Sequence, residues 1–374
     1  MNNKKLNILQ ILPDLESGGV ERGTLEIAEY LVKKGHNSYV VSSGGRLVNK
    51  LIDGGSIHFH LPIGKKSPVV LLSIYKLLKI YKQYKIDIVH VRSRLPAWIV
   101  FISFKFLNVS QRPKFVTTIH GYNSISYYSS IMTKGDAVIV VSNALKKFVL
   151  KNYNIHESKL FLNYRGVPDL QNIKNLKDFL NWKLNWFNNN KDLKEKKLLT
   201  LPTRISRRKG IEDFIDLISY LKRKNIIVHG LIVGESKSAA YLKDLQGKIN
   251  HLCLQQDITF LGYRSDVYEI ISVSDIVFSI SSIPESFGRT VIESIKLGTP
   301  VIGYNYGGVG EQLSMIFPEG LVNFKVKKSL YKKTINFIKK KPKVNQTNLF
   351  KLVDMQKNTL KIYRLLSKRN CYES

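Results

Sequence analysis

Short apolar runs alternate along this chain with longer segments in which apolar positions recur every three to four residues. Residues 6–12 form such a run. After a polar loop over 14–19, residues 20–34 place Leu25, Ala28, Leu31 and Val32 on one face and stop at Gly35, and residues 38–42 are apolar again. This pattern predicts strand, helix, strand. It continues with helices over 68–83, 96–107 and 143–151 and strands over 86–90, 114–119 and 137–141. Past an Asn/Lys-rich stretch at 185–197, expected to be a linker, the alternation restarts. Strands are predicted over 198–203, 226–233, 258–261, 276–280 and 300–303, and helices over 210–223, 266–273 and 288–297. Strands that are apolar throughout, rather than at every second position, belong to parallel sheets covered by helices on both faces. The expectation is an α/β protein with two Rossmann-like, doubly wound domains over 1–185 and 198–345, and a helical tail over 346–374 that could pack back on the first.

Length and charge refine this picture. At 374 residues the chain is long enough for two cores. The formal net charge is +31, unevenly spread: residues 1–200 hold 31 basic against 13 acidic side chains, 201–322 hold 13 of each, and 323–374 hold 15 against 2. The two cysteines, Cys253 and Cys371, cannot build a disulfide framework and read as reduced thiols. The longest apolar stretch, 97–109, is too short to span a bilayer and contains Lys105, and residues 6–12 do not make a signal peptide. A cytoplasmic protein is expected.

The chemistry concentrates in residues 284–293. Glu285 stands just before the predicted helix over 288–297 and Glu293 within it, with Phe287, Gly288 and Arg289 between them. Unpaired amides at a helix start favour anions. A glycine there lets a ligand approach the backbone, and two carboxylates can bind hydroxyls at opposite ends of an extended ligand. Arg204 and Lys209 supply two cations on a strand-to-helix loop that ends at Gly210. No Asp-x-Asp and no His/Cys/Asp cluster at metal spacing occurs, so neither metal nor cofactor is expected.

Taken in order, these motifs resemble glycosyltransferase family 4, the retaining transferases of the GT-B fold, whose two domains face each other across a cleft. Beside Glu285-x7-Glu293 with its Phe-Gly, Gly18-Gly19-Val20-Glu21 is similar to the family's glycine loop and Thr118-Ile119-His120-Gly121 to its His-Gly turn. Arg204 to Gly210 is similar to its Arg…Lys-Gly segment, Phe260-Leu261-Gly262-Tyr263 to its base-proximal loop, and Tyr306-Gly307-Gly308…Glu311 to its late glycine turn. The resemblance implies a nucleoside-diphosphate-sugar donor. It gives Glu293 the ribose hydroxyls, Glu285 and His120 the transferred sugar, and Arg204 and Lys209 the diphosphate. Gly18 and Gly19 would bring backbone close to the diphosphate and acceptor. The first departure is Pro168, which interrupts the family's Gly-Val-Asp after Arg165. Retention by this family is thought to need no enzyme nucleophile, and the chain offers no triad or activated cysteine.

The acceptor is less defined. Residues 67–85 and 325–343 are both amphipathic and lysine-lined, so either could pack on a sheet or meet an anionic bilayer. Residues 1–145 resemble transferases of lipopolysaccharide assembly, which suggests a glycan or glycolipid acceptor. A sugar-nucleotide epimerase of the same fold is the nearest alternative. A nucleic-acid binder fits less well, because aromatic-interleaved basic motifs are missing and residues 201–322 are neutral.

Overall fold

The computed structural model describes residues 4–16, 18–64, 67–170 and 176–369, and in it the apolar runs become the strands of two separate parallel sheets. In the first, β1 (Asn7–Ile11), β2 (Asn37–Ser42), β3 (Ile57–His60), β4 (Ile88–Val91), β5 (Lys114–Ile119), β6 (Ala137–Val140) and β7 (Leu160–Leu162) lie in the order β3-β2-β1-β4-β5-β6-β7. Its helices are α1 (Gly19–Lys33), α2 (Val48–Asp53), α3 (Leu72–Gln83), α4 (Arg94–Ser103), α5 (Tyr127–Ser130) and α6 (Asn143–Asn152). The second unit opens with α7 (Leu176–Asn189). It then runs β8 (Lys197–Pro202), α8 (Ile211–Arg223), β9 (Val228–Val233), α9 (Ala239–His251), β10 (Ile258–Gly262), α10 (Val267–Val273), β11 (Ile276–Ser279), α11 (Arg289–Lys296), β12 (Val301–Tyr304), α12 (Gly307–Ile316), β13 (Leu321–Val322) and α13 (Lys327–Lys339). Its sheet order is β10-β9-β8-β11-β12-β13. Both sheets start near the middle, build to one edge, return and build to the other.

The chain divides at Gly166/Val167 and again at Lys351/Leu352, so the last helix, α14 (Leu352–Arg369), belongs to the first unit. There Met355, Leu360, Ile362, Tyr363 and Leu366 pack with Leu6, Ile8, Ile27, Leu31, Ile88 and Val116. Burying each aliphatic side chain of this kind contributes roughly 1.5–3 kcal/mol. Polar contacts fix the register. Asn163 Nδ2 donates to the Met355 carbonyl (3.1 Å) and to Thr359 Oγ1 (2.9 Å), and Gln356 donates to the Glu26 carbonyl (2.8 Å).

Two readings of the sequence change here. The stretch at 185–197 is not a linker: Trp182 and Trp186 stack at 5.3 Å on α7, and Trp186 packs with Leu193, Leu198, Leu231 and Ile270 in the second unit. The Asn/Lys side chains occupy the outer face of that helix and mask the tryptophans in the composition. In α1 Ala28 and Leu31 of the expected face are buried, but together with Thr24 and Ile27, while Leu25 and Val32 are only half-buried, because the helix must cover the sheet and α14 together. In α8 the expected inward set of Ile211, Phe214, Ile215, Ile218 and Leu221 is fully buried.

The contact that joins α14 most specifically to the sheet is a buried relay on β4. His90 Nδ1 lies 2.6 Å from the Tyr363 hydroxyl and Nε2 lies 2.6 Å from Thr118 Oγ1. A neutral imidazole serves both, donating through one nitrogen and accepting through the other. Tyr363→Phe strands one buried ring nitrogen and should destabilise the first unit by about 1–3 kcal/mol. Urea unfolding followed by a probe in that unit measures the loss, and an unchanged midpoint would mean the relay is energetically idle.

Candidate functional site

In doubly wound sheets ligands bind where the strand order reverses, outside the carboxyl ends of the strands. Those points fall between β8 and β11 in the second unit and between β1 and β4 in the first.

In the second unit the loops leaving β8 and β11 are stitched together. Ser282 N–H donates to the Arg208 carbonyl (3.0 Å), and its hydroxyl to that of Arg207 (3.3 Å). Gly210, the N-cap of α8, has φ +71°, and a side chain there would run into the Ile280 backbone, so only glycine lets the two loops close on each other. The result places Lys209 Nζ 2.9 Å from Glu285 Oε1, with both side chains about a quarter exposed. Ser281 donates to the same oxygen. One carboxylate oxygen is therefore fixed by an ammonium and a hydroxyl. Beneath the pair lies a cavity of about 50 Å³ lined with polar groups from Thr203, Lys209, Ser279, Ser281, Glu285 and Thr290. Arg204, on the same loop, is exposed.

Helix α11 follows, with Gly288 as its N-cap. Glu293 is only 7% exposed, and its Oε1 accepts from the Tyr268 hydroxyl (3.3 Å) and pairs with Arg289 Nε (3.5 Å) one turn earlier. Two expected residues also serve packing. The space over Gly288 is taken by Val309 and Gln312, and the Gln312 amide, turned to donate to the Gly288 carbonyl (2.8 Å), accepts from its N–H (3.3 Å). The glycine is thus required for α12 to approach. Phe287 is buried and meets Phe350 edge-on at 5.7 Å. The late glycines explain how Glu285 is held from behind: Gly308 N–H donates to the Glu285 carbonyl (2.6 Å), and a Cβ at Gly307 or Gly308 would strike the backbone of residues 285–286.

In the first unit Gly18 is the N-cap of α1, with φ +148° and ψ 177°, and the Glu21 carboxylate lies against it, 3.2 Å from Cδ to where a Cβ would stand. His120 follows β5 and is half-buried. Burial, reinforced by the nearby positive charges of Arg165 and Arg92, holds its pKa well below the usual histidine range. Its ring is neutral at physiological pH. Arg92 and Arg165 are each 6% exposed; Arg92 Nη2 donates to Gln10 Oε1 (2.6 Å), and Arg165 donates to the Gly19 carbonyl.

The residues singled out from the sequence thus form two groups. Lys209 with Glu285, and Arg289 with Glu293, come together on the second unit, where Arg204 stands nearby on the loop. Gly18, Gly19 and His120 gather on the first. Sequence reasoning missed Ser281, Tyr268, Arg92 and Arg165. Ser281 lies only four residues before Glu285, but nothing in a Ser-Ile-Ser-Ser run marks which hydroxyl turns inward. Among the described residues no group of three or more His, Cys, Asp or Glu side chains is placed to hold a metal ion. Cys253 is exposed, and Cys371 lies outside the described residues.

Comparison with known proteins agrees with the two-sheet fold. Residues 17–169 match the family model described as Glycosyltransferase Family 4, and residues 183–349 that described as Glycosyl transferases group 1. The crystal structure of a glycosyltransferase from Rickettsia africae ESF-5 is 32% identical, with a TM-score of 0.83 over 97% of this chain and 98% of its own. The N-acetyl-alpha-D-glucosaminyl L-malate synthase of Bacillus anthracis is 23% identical over 324 residues, 80% of this chain and 78% of its own. Anabaena HepE, solved in complex with UDP-glucose, shares the fold at 18% identity and a TM-score of 0.80, over 96% of this chain and 99% of its own.

The depressed histidines make the first unit acid-sensitive. Burial, aided by Arg92 and Arg165, keeps His90 neutral well below its usual range, whereas the unfolded chain takes up its proton near pH 6.5. The stability this confers is complete above that pH and is lost as pH falls toward the folded value, by up to about 1.4 kcal/mol per pH unit. Urea unfolding between pH 7.5 and 5.5 should show this slope, reduced in His90→Gln. An equal slope in the variant would assign the acid sensitivity to other groups, His120, His36 and His58 being shifted the same way.

Proposed function

Because this chain belongs to glycosyltransferase family 4, we propose that it moves a sugar from a nucleoside diphosphate to a hydroxyl of a glycan or glycolipid acceptor, with retention of anomeric configuration. The observation that carries the reading is the Lys209–Glu285 pair at the switch point of the second sheet, with Ser281 on the shared oxygen. Bond cleavage builds negative charge on the departing diphosphate. Lys209 and Arg204 meet that charge as cations, helped by the amides at the start of α11, so no metal is required. Glu285 accepts hydrogen bonds from hydroxyls of the transferred sugar, and Glu293 from those of the ribose. His120, neutral, offers the sugar a hydrogen bond rather than a charge. Gly18 and Gly19 bring backbone N–H groups toward the diphosphate. The acceptor hydroxyl attacks from the face the phosphate leaves, passing its proton to a phosphate oxygen. The UDP-glucose complex of the Anabaena relative makes uridine diphosphate sugars the first donors to test.

The acceptor is proposed to be lipid-linked, met at the cytoplasmic face of an anionic membrane. No described helix is long and apolar enough to cross one. The two amphipathic stretches differ in a way that supports docking through one of them. Helix α13 spends its apolar face on the second core, burying Leu330 and Phe337 and stacking Tyr331 on Tyr220 at 4.5 Å. Helix α3 buries Leu77, Ile80 and Tyr81, yet also exposes Leu72 (65%) and Tyr75 (63%) beside exposed Lys76, Lys79 and Lys82. Apolar side chains ringed by lysines suit insertion among anionic headgroups.

Incubation with a panel of sugar nucleotides, with and without a membrane-lipid extract, should release nucleoside diphosphate, and excess EDTA should not prevent it. Glu293→Ala should weaken nucleotide binding by roughly ten- to a hundredfold, while Glu285→Ala should mainly lower kcat. No release from any donor, or release that needs added magnesium, would overturn the corresponding part of the reading.

Vesicle co-sedimentation checks the membrane arm. Binding to anionic but not neutral vesicles is expected, reversed by about 0.5 M salt as charges are screened over a few ångströms. It should be weakened by Gln at Lys76, Lys79 and Lys82. Equal binding to neutral vesicles, or none to either, would leave composition as the explanation of the charge.

A further inference from the structure

The mechanism above makes no use of the buried arginines of the first unit, and Arg165 is the more informative of the two. It stands just past β7, at the sheet edge. That edge is four strands from β1, roughly 19 Å at about 4.8 Å per strand. Yet its guanidinium donates to the carbonyl of Gly19, the first residue of α1. What admits it is a notch. Gly19 and Gly23 lie one turn apart on the same face of the helix, and a Cβ at Gly23 would come within 2.5 Å of Arg165 Nη1 and 2.6 Å of Cζ. Any residue but glycine at position 23 displaces the side chain.

The need for such a tie follows from the local sequence. Helix α1 begins with two glycines and has no side-chain cap, and glycine backbone loses the most conformational freedom when ordered. The body of α1 is fixed elsewhere: Arg92 Nη2 holds Gln10, and Gln10 Nε2 donates to the Thr24 carbonyl (3.2 Å). Neither contact reaches the first turn. Arg165 does, with a charged donor, which makes a stronger bond than a neutral one. Amides that bind an anion work only if they are already aimed at it.

We propose that Arg165 is a positioning residue which, seated in the notch between Gly19 and Gly23, holds the glycine loop in the geometry that meets the donor diphosphate. This rests on the reading of Gly18 and Gly19 as part of the donor site, and the test separates the two. Arg165→Met, Gly23→Ala and their double variant are compared with wild type in the full-length protein, beside Gly18→Ala, which strikes the loop itself. The readouts are hydrogen exchange of the peptide covering the first turn of α1, and kcat and KM for the sugar nucleotide that the wild type consumes. Arg165→Met and Gly23→Ala should each speed exchange there and lower kcat by about 10- to 100-fold with KM changed far less. The double variant should be no worse than the poorer single, since both remove one contact. If Arg165→Met proves unable to fold, Gly23→Ala still expels the guanidinium while keeping the arginine. Unchanged exchange and kcat in a folded variant of either kind, or additive losses in the double, would overturn the positioning role. Should Gly18→Ala be impaired at the same time, the loop reading survives alone; should Gly18→Ala also keep wild-type turnover, that reading falls with it.

Discussion

In a parallel sheet every strand points the same way, so every loop that follows a strand gathers at one edge, and only where the strand order reverses do neighbouring loops diverge enough to leave room. Many of the residues given a role in the donor site stand on such an edge, Glu293 lying beyond it on α11. The loops after β8 and β11 carry Lys209 and Glu285, and those after β1, β4, β5 and β7 carry the glycine pair, Arg92, His120 and Arg165. Repetition of one strand order in both units therefore gives the chain two similarly built loop clusters from a single architectural rule. Chemistry separates them: one combines carboxylates and cations, the other glycine backbone with neutral histidines over buried arginines.

The glycines show how much of this depends on close approach between segments of the protein. Gly210 permits the two donor loops to close on each other, Gly307 and Gly308 bring α12 against the Glu285 backbone, Gly288 makes way for Val309 and Gln312, and Gly23 seats a guanidinium. In each case the missing side chain lets one piece of protein approach another. A glycine-rich motif here marks tight packing behind the functional side chains, and substitutions at these positions would act on the carboxylates and cations indirectly.

The central strands were legible because they are apolar on both faces, a pattern few other elements share. Of the edge strands only β10, expected over 258–261, was legible: β3 reads Ile57-His58-Phe59-His60, and β7 and β13 hold three and two residues, too short for any period to emerge. Glu285, Glu293 and Lys209 were visible through their motif, but Ser281, Arg92 and Arg165 were not, since a buried arginine looks like a surface one until the fold surrounds it. Helices α3 and α13 illustrate the same limit. Their sequences carry near-identical alternations of lysine with leucine, isoleucine and tyrosine, and only packing reveals that α13 has used its apolar side chains while α3 has some left over.

The place of α14 bears on how the molecule comes into being on the ribosome. Tyr363 and its neighbours complete a core whose other walls, Leu6, Ile8 and Ile27, were made more than 300 residues earlier. The intervening unit, Val167–Lys351, holds its own strands and core and can close as soon as it emerges. Although domains tend to fold from the N-terminus forward during synthesis, here the core that α1 begins over the first sheet stays open on one side until α14 is delivered. The half of the protein that is begun first is finished last, and throughout that interval its apolar face is what nascent-chain chaperones would encounter.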